Sequence, residues 1–76
     1  MPDRAAKLQL IFGETLRTER LARKLTQEQL AEKADLSLNF IGIVERGEQM
    51  ASLDSIIRLA EALKMSGAEL LAKARL

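Results

Sequence analysis

The sequence predicts an all-α fold, a compact bundle of about five short helices. Three observations predict it. Polar residues that suit helix starts, Asp3, Thr26, Ser37 and Ser52, each stand before an apolar pattern of helical spacing. Apolar residues recur three and four positions apart, and no segment alternates apolar with polar residues as a half-buried strand does. No internal repeat or low-complexity linker divides the 76 residues. Residues 1–76 are therefore expected to form one domain, near the size at which a single core needs support from oligomerisation.

The first helix is expected from Asp3 to about Arg23. Leu8, Phe12 and Leu16 repeat at i, i+4 and i+8, with Ile11 alongside, and form an apolar stripe. Asp3 suits the positive end of the helix dipole, and Arg23 and Lys24 the negative end. Gly13 inside the pattern costs about 1 kcal/mol against alanine, which a close helix crossing would explain. Leu10 falls off the stripe and reads either as an exposed leucine or as a dimer contact.

Thr26-Gln27-Glu28-Gln29 matches a capping box, in which the Thr26 hydroxyl accepts from the Gln29 amide and the Gln29 side chain reaches back. Leu30, Ala31 and Ala34 make a narrow stripe of partly small residues that lets two helices approach closely. Asp35 tolerates left-handed turn geometry, Leu36 plugs the turn into a core, and Ser37 offers the next cap. From Ser37 to Arg46 a helical wheel separates two faces. Ile41 and Val44 point inward with Phe40 at one margin; Leu38, Asn39, Gly42, Ile43 and Arg46 share the opposite arc. Gly47 ends the helix. A capped helix, a tight turn and a short helix with one packed side make helix-turn-helix geometry over residues 26–47.

Ser52 reads as the cap of a fourth helix, with Asp54 in its first turn and Leu53, Ile56, Ile57, Ala60 and Leu63 forming an inward face. Met65-Ser66-Gly67 is expected to break it, and Ala68 to about Ala74 to make a last short helix. Leu70, Leu71, Leu76 and Met65 exceed what a terminal helix needs for its own packing. They are taken as a dimer interface within residues 65–76.

Composition excludes several classes. Cysteine and histidine are both absent, which removes disulfides, thiolate or imidazole metal sites and the usual general base. With no glycine-rich phosphate loop and no convincing carboxylate pair, no enzyme, catalytic residue, metal or cofactor is expected. No apolar run approaches a membrane span and no signal peptide is visible, so no membrane partner and a cytoplasmic location are expected. A net charge of +1 neither supports nor excludes DNA as partner. Distribution matters more: Arg17, Arg20, Arg23 and Lys24 cluster before the central stretch, and Arg46 closes it.

The pattern Leu16…Arg20…Leu25-Thr26-Gln27-Glu28-Gln29-Leu30-Ala31…Ala34-Asp35-Leu36-Ser37…Ile41-Gly42…Val44-Glu45-Arg46-Gly47…Ser52-Leu53…Leu59-Ala60…Leu63 resembles the phage-repressor (Cro/repressor, or XRE) helix-turn-helix family. The resemblance runs from about residue 12 to 71. Lys24 and Asp35 stand where the family often has glycine. Ala51 replaces a proline that many repressors carry, a departure common in restriction–modification controller proteins, so the resemblance leans to that branch.

The resemblance implies a lambda-repressor-like fold and a dimeric, sequence-specific transcriptional regulator on double-stranded DNA, with two recognition helices about 34 Å apart on a promoter operator and RNA polymerase as a further partner. It assigns base reading to Leu38, Asn39, Gly42 and Ile43. Asn39 can take adenine N6 and N7 together, while Leu38 and Ile43, where polar or basic residues are usual, can touch thymine methyls. Gly42 would let a DNA edge approach closely. Gln27 is placed against a phosphate at a helix N-terminus. Ser37, Arg46, Gln49 and Ser52 are further phosphate candidates, with Arg23 and Lys24 contributing. Arg20 and Glu45 are implied to form an ion pair that locks the recognition helix to the first helix. The alternative is a protein-interaction module that binds a partner through Leu38 and Ile43.

Overall fold

Every helix among the described residues starts at a side chain that accepts a hydrogen bond from a free backbone amide. The structure, a computed structural model, describes residues 3–76. Asp3 caps α1 (Arg4–Ala22), Thr26 caps α2 (Gln27–Ala34) and Ser37 caps α3 (Leu38–Glu45). Ser52 caps α4 (Leu53–Ala62) and Ser66 caps α5 (Gly67–Lys73). The expected capping box of α2 is present, with the Thr26 amide donating to Gln29 Oε1 at 2.8 Å and the Gln29 amide to Thr26 Oγ1 at 3.0 Å. A second box joins Ser66 and Glu69. There the Ser66 amide, and then its hydroxyl, hold the Glu69 carboxyl below its ordinary pKa.

All five helices among the described residues also end alike. Lys24, Asp35, Gly47, Lys64 and Arg75 each take a left-handed conformation. The residue after each donates back to a carbonyl five positions earlier, as in Leu25 to Arg20, Leu36 to Ala31 and Met65 to Ala60. This is the Schellman arrangement, which satisfies carbonyls that the helix leaves free. Arg23 adds a long-range tie, its Nε donating to the Leu63 carbonyl at 2.8 Å and so joining the end of α1 to the end of α4.

One core lies between the helices. Phe12 and Leu16 of α1, Leu30 of α2, Ile41 and Val44 of α3, Leu59 of α4 and Leu70 of α5 are fully buried in it. The recognition helix α3 packs on α1 and α2, while α4 packs on α2 and α5, and α5 touches α1. Gly13 explains how close α1 comes to α3. A carbon added there would run into the Val44 carbonyl and lie 2.9 Å from the Glu45 carbonyl oxygen, so only glycine fits this crossing.

The all-α fold is as expected, with corrections at its C-terminal half. Leu53 is 72% exposed and Ile57 42%, so neither belongs to the inward face of α4. Leu59 takes that place, because the core meets α4 along Ile56, Leu59, Ala60 and Leu63. The break before α5 falls at Lys64, not at Met65-Ser66-Gly67; Ser66 is the cap of α5 and Gly67 its first residue. Met65 and Leu70 are buried in the protomer's own core and offer no surface to a partner. Leu71 is half-buried, and Leu76 is exposed.

Candidate nucleic-acid interface

The sequence of α2, turn and α3 places one helix face outward and holds it from behind. Asp35 turns the chain in the left-handed region, at φ 56°. Arg58 of α4 steadies that turn: its Nη1 donates to Asp35 Oδ2 at 3.3 Å while its Nε donates to Asp54 Oδ2 at 2.8 Å. Asp54 foremost, and Asp35 after it, raise the Arg58 guanidinium above its ordinary pKa.

Behind α3 sits a buried charged cluster. Arg20 Nε and Nη2 bind Glu45 Oε2 and Oε1 at 2.7 and 3.0 Å. The third guanidinium nitrogen, Nη1, donates to the Leu25 carbonyl at 2.7 Å. Side-chain exposure of 9% and 4% makes this a buried pair rather than a surface one. Gln27 completes it, donating from Nε2 to Glu45 Oε1 at 3.0 Å. Among the described residues no buried side-chain polar atom lacks a partner. The expected ion pair is therefore present, and it is fork-on-fork, the geometry that fixes orientation most strongly.

Leu38 and Asn39 are exposed on the outer arc, Leu38 at 46%, and Ile43 is half-buried. Gly42 is itself covered, because the Arg46 guanidinium lies over it. A DNA edge approaching there meets Arg46 before the glycine backbone. Arg46 in turn binds Glu48, which raises the Arg46 guanidinium above its ordinary pKa.

The phosphate candidates fall into two groups. Lys24, Ser37 and Gln49 are exposed, although Ser37 Oγ also accepts from the Phe40 amide. Gln27 has one side-chain N–H engaged by Glu45 and a second available. Ser52 and Arg23 have structural work instead. The Ser52 hydroxyl donates to Ser55 Oγ at 3.0 Å, and Arg23 is divided between the Leu63 carbonyl and Glu19. Periodicity could not have found the Gln27–Glu45 and Arg58–Asp35 bonds, since each joins two different elements, whereas Arg58–Asp54 is a pair four residues apart within α4.

The sequence model of the helix-turn-helix domain family matches residues 11–72. That span is most of the chain and contains the motif just described. The chain belongs to this family. One relative, the control protein C.SmaI of Serratia marcescens, is 43% identical over 63 residues, 83% of this chain and 75% of that protein. The crystal structure of the restriction–modification controller protein C.AhdI from Aeromonas hydrophila is 42% identical with a TM-score of 0.79, covering 82% of this chain and 94% of that one. A tetramer of the controller protein C.Esp1396I in complex with its natural 35 base-pair operator matches at 25% identity and a TM-score of 0.77, over 91% of this chain and 96% of that one.

Proposed function

We propose that this protein is a sequence-specific DNA-binding transcriptional regulator that acts as a dimer on a promoter operator. The observation that carries the reading is an outward helix face, Leu38 to Arg46, braced by the buried Arg20–Glu45 pair with Gln27 bonded to it. A groove reader needs such a rigid backing, because base edges discriminate only when donors arrive in fixed geometry. Kinship with restriction–modification control proteins supports a role in governing the genes of such a system.

In this reading Asn39 takes adenine, and Leu38 and Ile43 touch thymine methyls. Gln27, Ser37, Lys24 and Gln49 hold phosphates, and residues 1–76 act as one unit in the cytoplasm. Regulation follows from where the dimer sits relative to RNA polymerase. The test is selection of bound sites from a random duplex library, followed by a salt titration on the winner. A two-fold symmetric motif, with binding that falls linearly on a log–log salt plot, is expected. Salt-insensitive capture of a protein, with no duplex selected, would favour the partner-binding alternative through Leu38.

A further inference from the structure

Arg46 closes α3 and turns its side chain back toward the helix N-terminus, the direction helical geometry favours. Its guanidinium lies over Gly42, one turn earlier. A methyl carbon placed on Gly42 would sit 3.0 Å from Nη1 and 4.0 Å from Nη2, so the glycine leaves the space the guanidinium occupies. Glu48, beyond the turn at Gly47, grips the other edge. Nε donates to Glu48 Oε2 at 3.0 Å and Nη2 to Oε1 at 3.2 Å. Of arginine's five N–H donors two are engaged, and the outer edge keeps parallel N–H groups on Nη1 and Nη2.

A phosphate contact asks only for positive charge within reach. A fork fixed along one edge by a carboxylate and bedded on a glycine suits a planar partner with two parallel acceptors. In the major groove that partner is guanine, through O6 and N7. We propose that Arg46 reads a guanine in each half-site through its Nη1–Nη2 edge, and that Glu48 is the positioning residue that fixes the fork. The proposal rests on the DNA-binding reading above and changes Arg46 from a phosphate contact to a base reader. It also supplies the guanine readout that Leu38, Asn39 and Ile43 lack. Exposed ion pairs add little to stability, so the work of Glu48 is orientation. Its charge beside the phosphates opposes loose, non-specific binding.

The experiment repeats the duplex selection with the parent, Arg46→Lys and Glu48→Gln, all first checked by thermal melting. Both side chains are more than half exposed, at 57% and 56%, so folding is expected to survive. The parent should prefer guanine at one position per half-site by about tenfold to a hundredfold. Arg46→Lys should erase that preference and keep the rest of the motif. Glu48→Gln should lower the guanine preference severalfold while raising affinity for non-specific duplex. A motif without that guanine, a guanine that survives Arg46→Lys, or an equal weakening on every sequence overturns the assignment of Arg46 alone. Unchanged selectivity in Glu48→Gln overturns the role of Glu48. A parent that selects no duplex removes the DNA reading and this proposal with it.

Discussion

Glu45 stands at the end of α3 with both carboxylate oxygens engaged, and three side-chain N–H bonds from Arg20 and Gln27 converge on it. Taking two charges out of water is costly, and the pair recovers that cost only through complete bonding. Removing one partner is therefore worse than never having had the pair. Glu45→Ala leaves the Arg20 guanidinium buried beside a void and frees a Gln27 donor. The expected loss is about 3–5 kcal/mol, a large share of the roughly 5–15 kcal/mol that holds small domains together. Urea unfolding measures it, and a curve superimposable on the parent's would contradict the pair's structural role. The Arg20–Glu45 pairing was legible in the sequence through family resemblance, since two charges twenty-five residues apart carry no local signal. Gln27 was legible as a helix-start residue and, through the resemblance, as a phosphate contact, but its inward bond to Glu45 depends on how α3 crosses behind it.

Helix starts and helix ends differ in how openly the sequence declares them. Asp3, Thr26, Ser37 and Ser52 announce their helices because an N-cap needs a short polar side chain, and few residue types serve. The ends need only a left-handed residue, and here four of the five are Lys24, Asp35, Lys64 and Arg75 rather than glycine. Lys64 and Arg75 therefore give no sign, which is why the break before α5 is misplaced when read from Met65-Ser66-Gly67. Three of the five ends share an apolar following residue: Leu25, Leu36 and Met65 turn toward the core and anchor the turn, whereas Glu48 and Leu76 stay exposed. Lys64 is exposed, so its side chain can be removed without loss of packing. Lys64→Gly relieves left-handed strain of order 1–2 kcal/mol and loses part of it to the greater freedom of the unfolded chain. A net gain of up to about 1 kcal/mol is expected, which raises the melting temperature by about 4–8 °C for a domain of this size. A lower melting temperature would mean that Lys64 holds a contact that outweighs its backbone.

Across the whole molecule, α4 is apolar over a wider arc than one core can cover. Helical spacing alone assigned Leu53 and Ile57 inward, yet Ile56, Leu59, Ala60 and Leu63 fill the available contact and leave the other two in water. Periodicity names the stripe but not its width, which is set by how neighbouring helices α2 and α5 lie against it. The same geometry draws Leu70 inward, so the exposed large apolar side chains of the C-terminal half are Leu53 and Ile57 of α4 and Leu76 at the end of the chain. Ile57 also borders the start of α5, where a carbon on Gly67 would lie 3.5 Å from its Cγ1. If the proposed dimer forms through Leu53 and Ile57, a standard interface takes about 800 Å² from each partner. Ile57→Lys would bury a charge at such an interface while leaving the protomer's core untouched. Sedimentation equilibrium at micromolar concentration should find the parent dimeric and the variant monomeric, with equal melting of the protomer at high dilution. Operator affinity should fall far more than one lost contact would predict, because two half-sites held by one dimer bind as a linked pair and a monomer forfeits that linkage. If Ile57→Lys still forms the parent's dimer, the contact lies elsewhere, and Leu71 and Leu76 at the end of the chain become the surface to alter next.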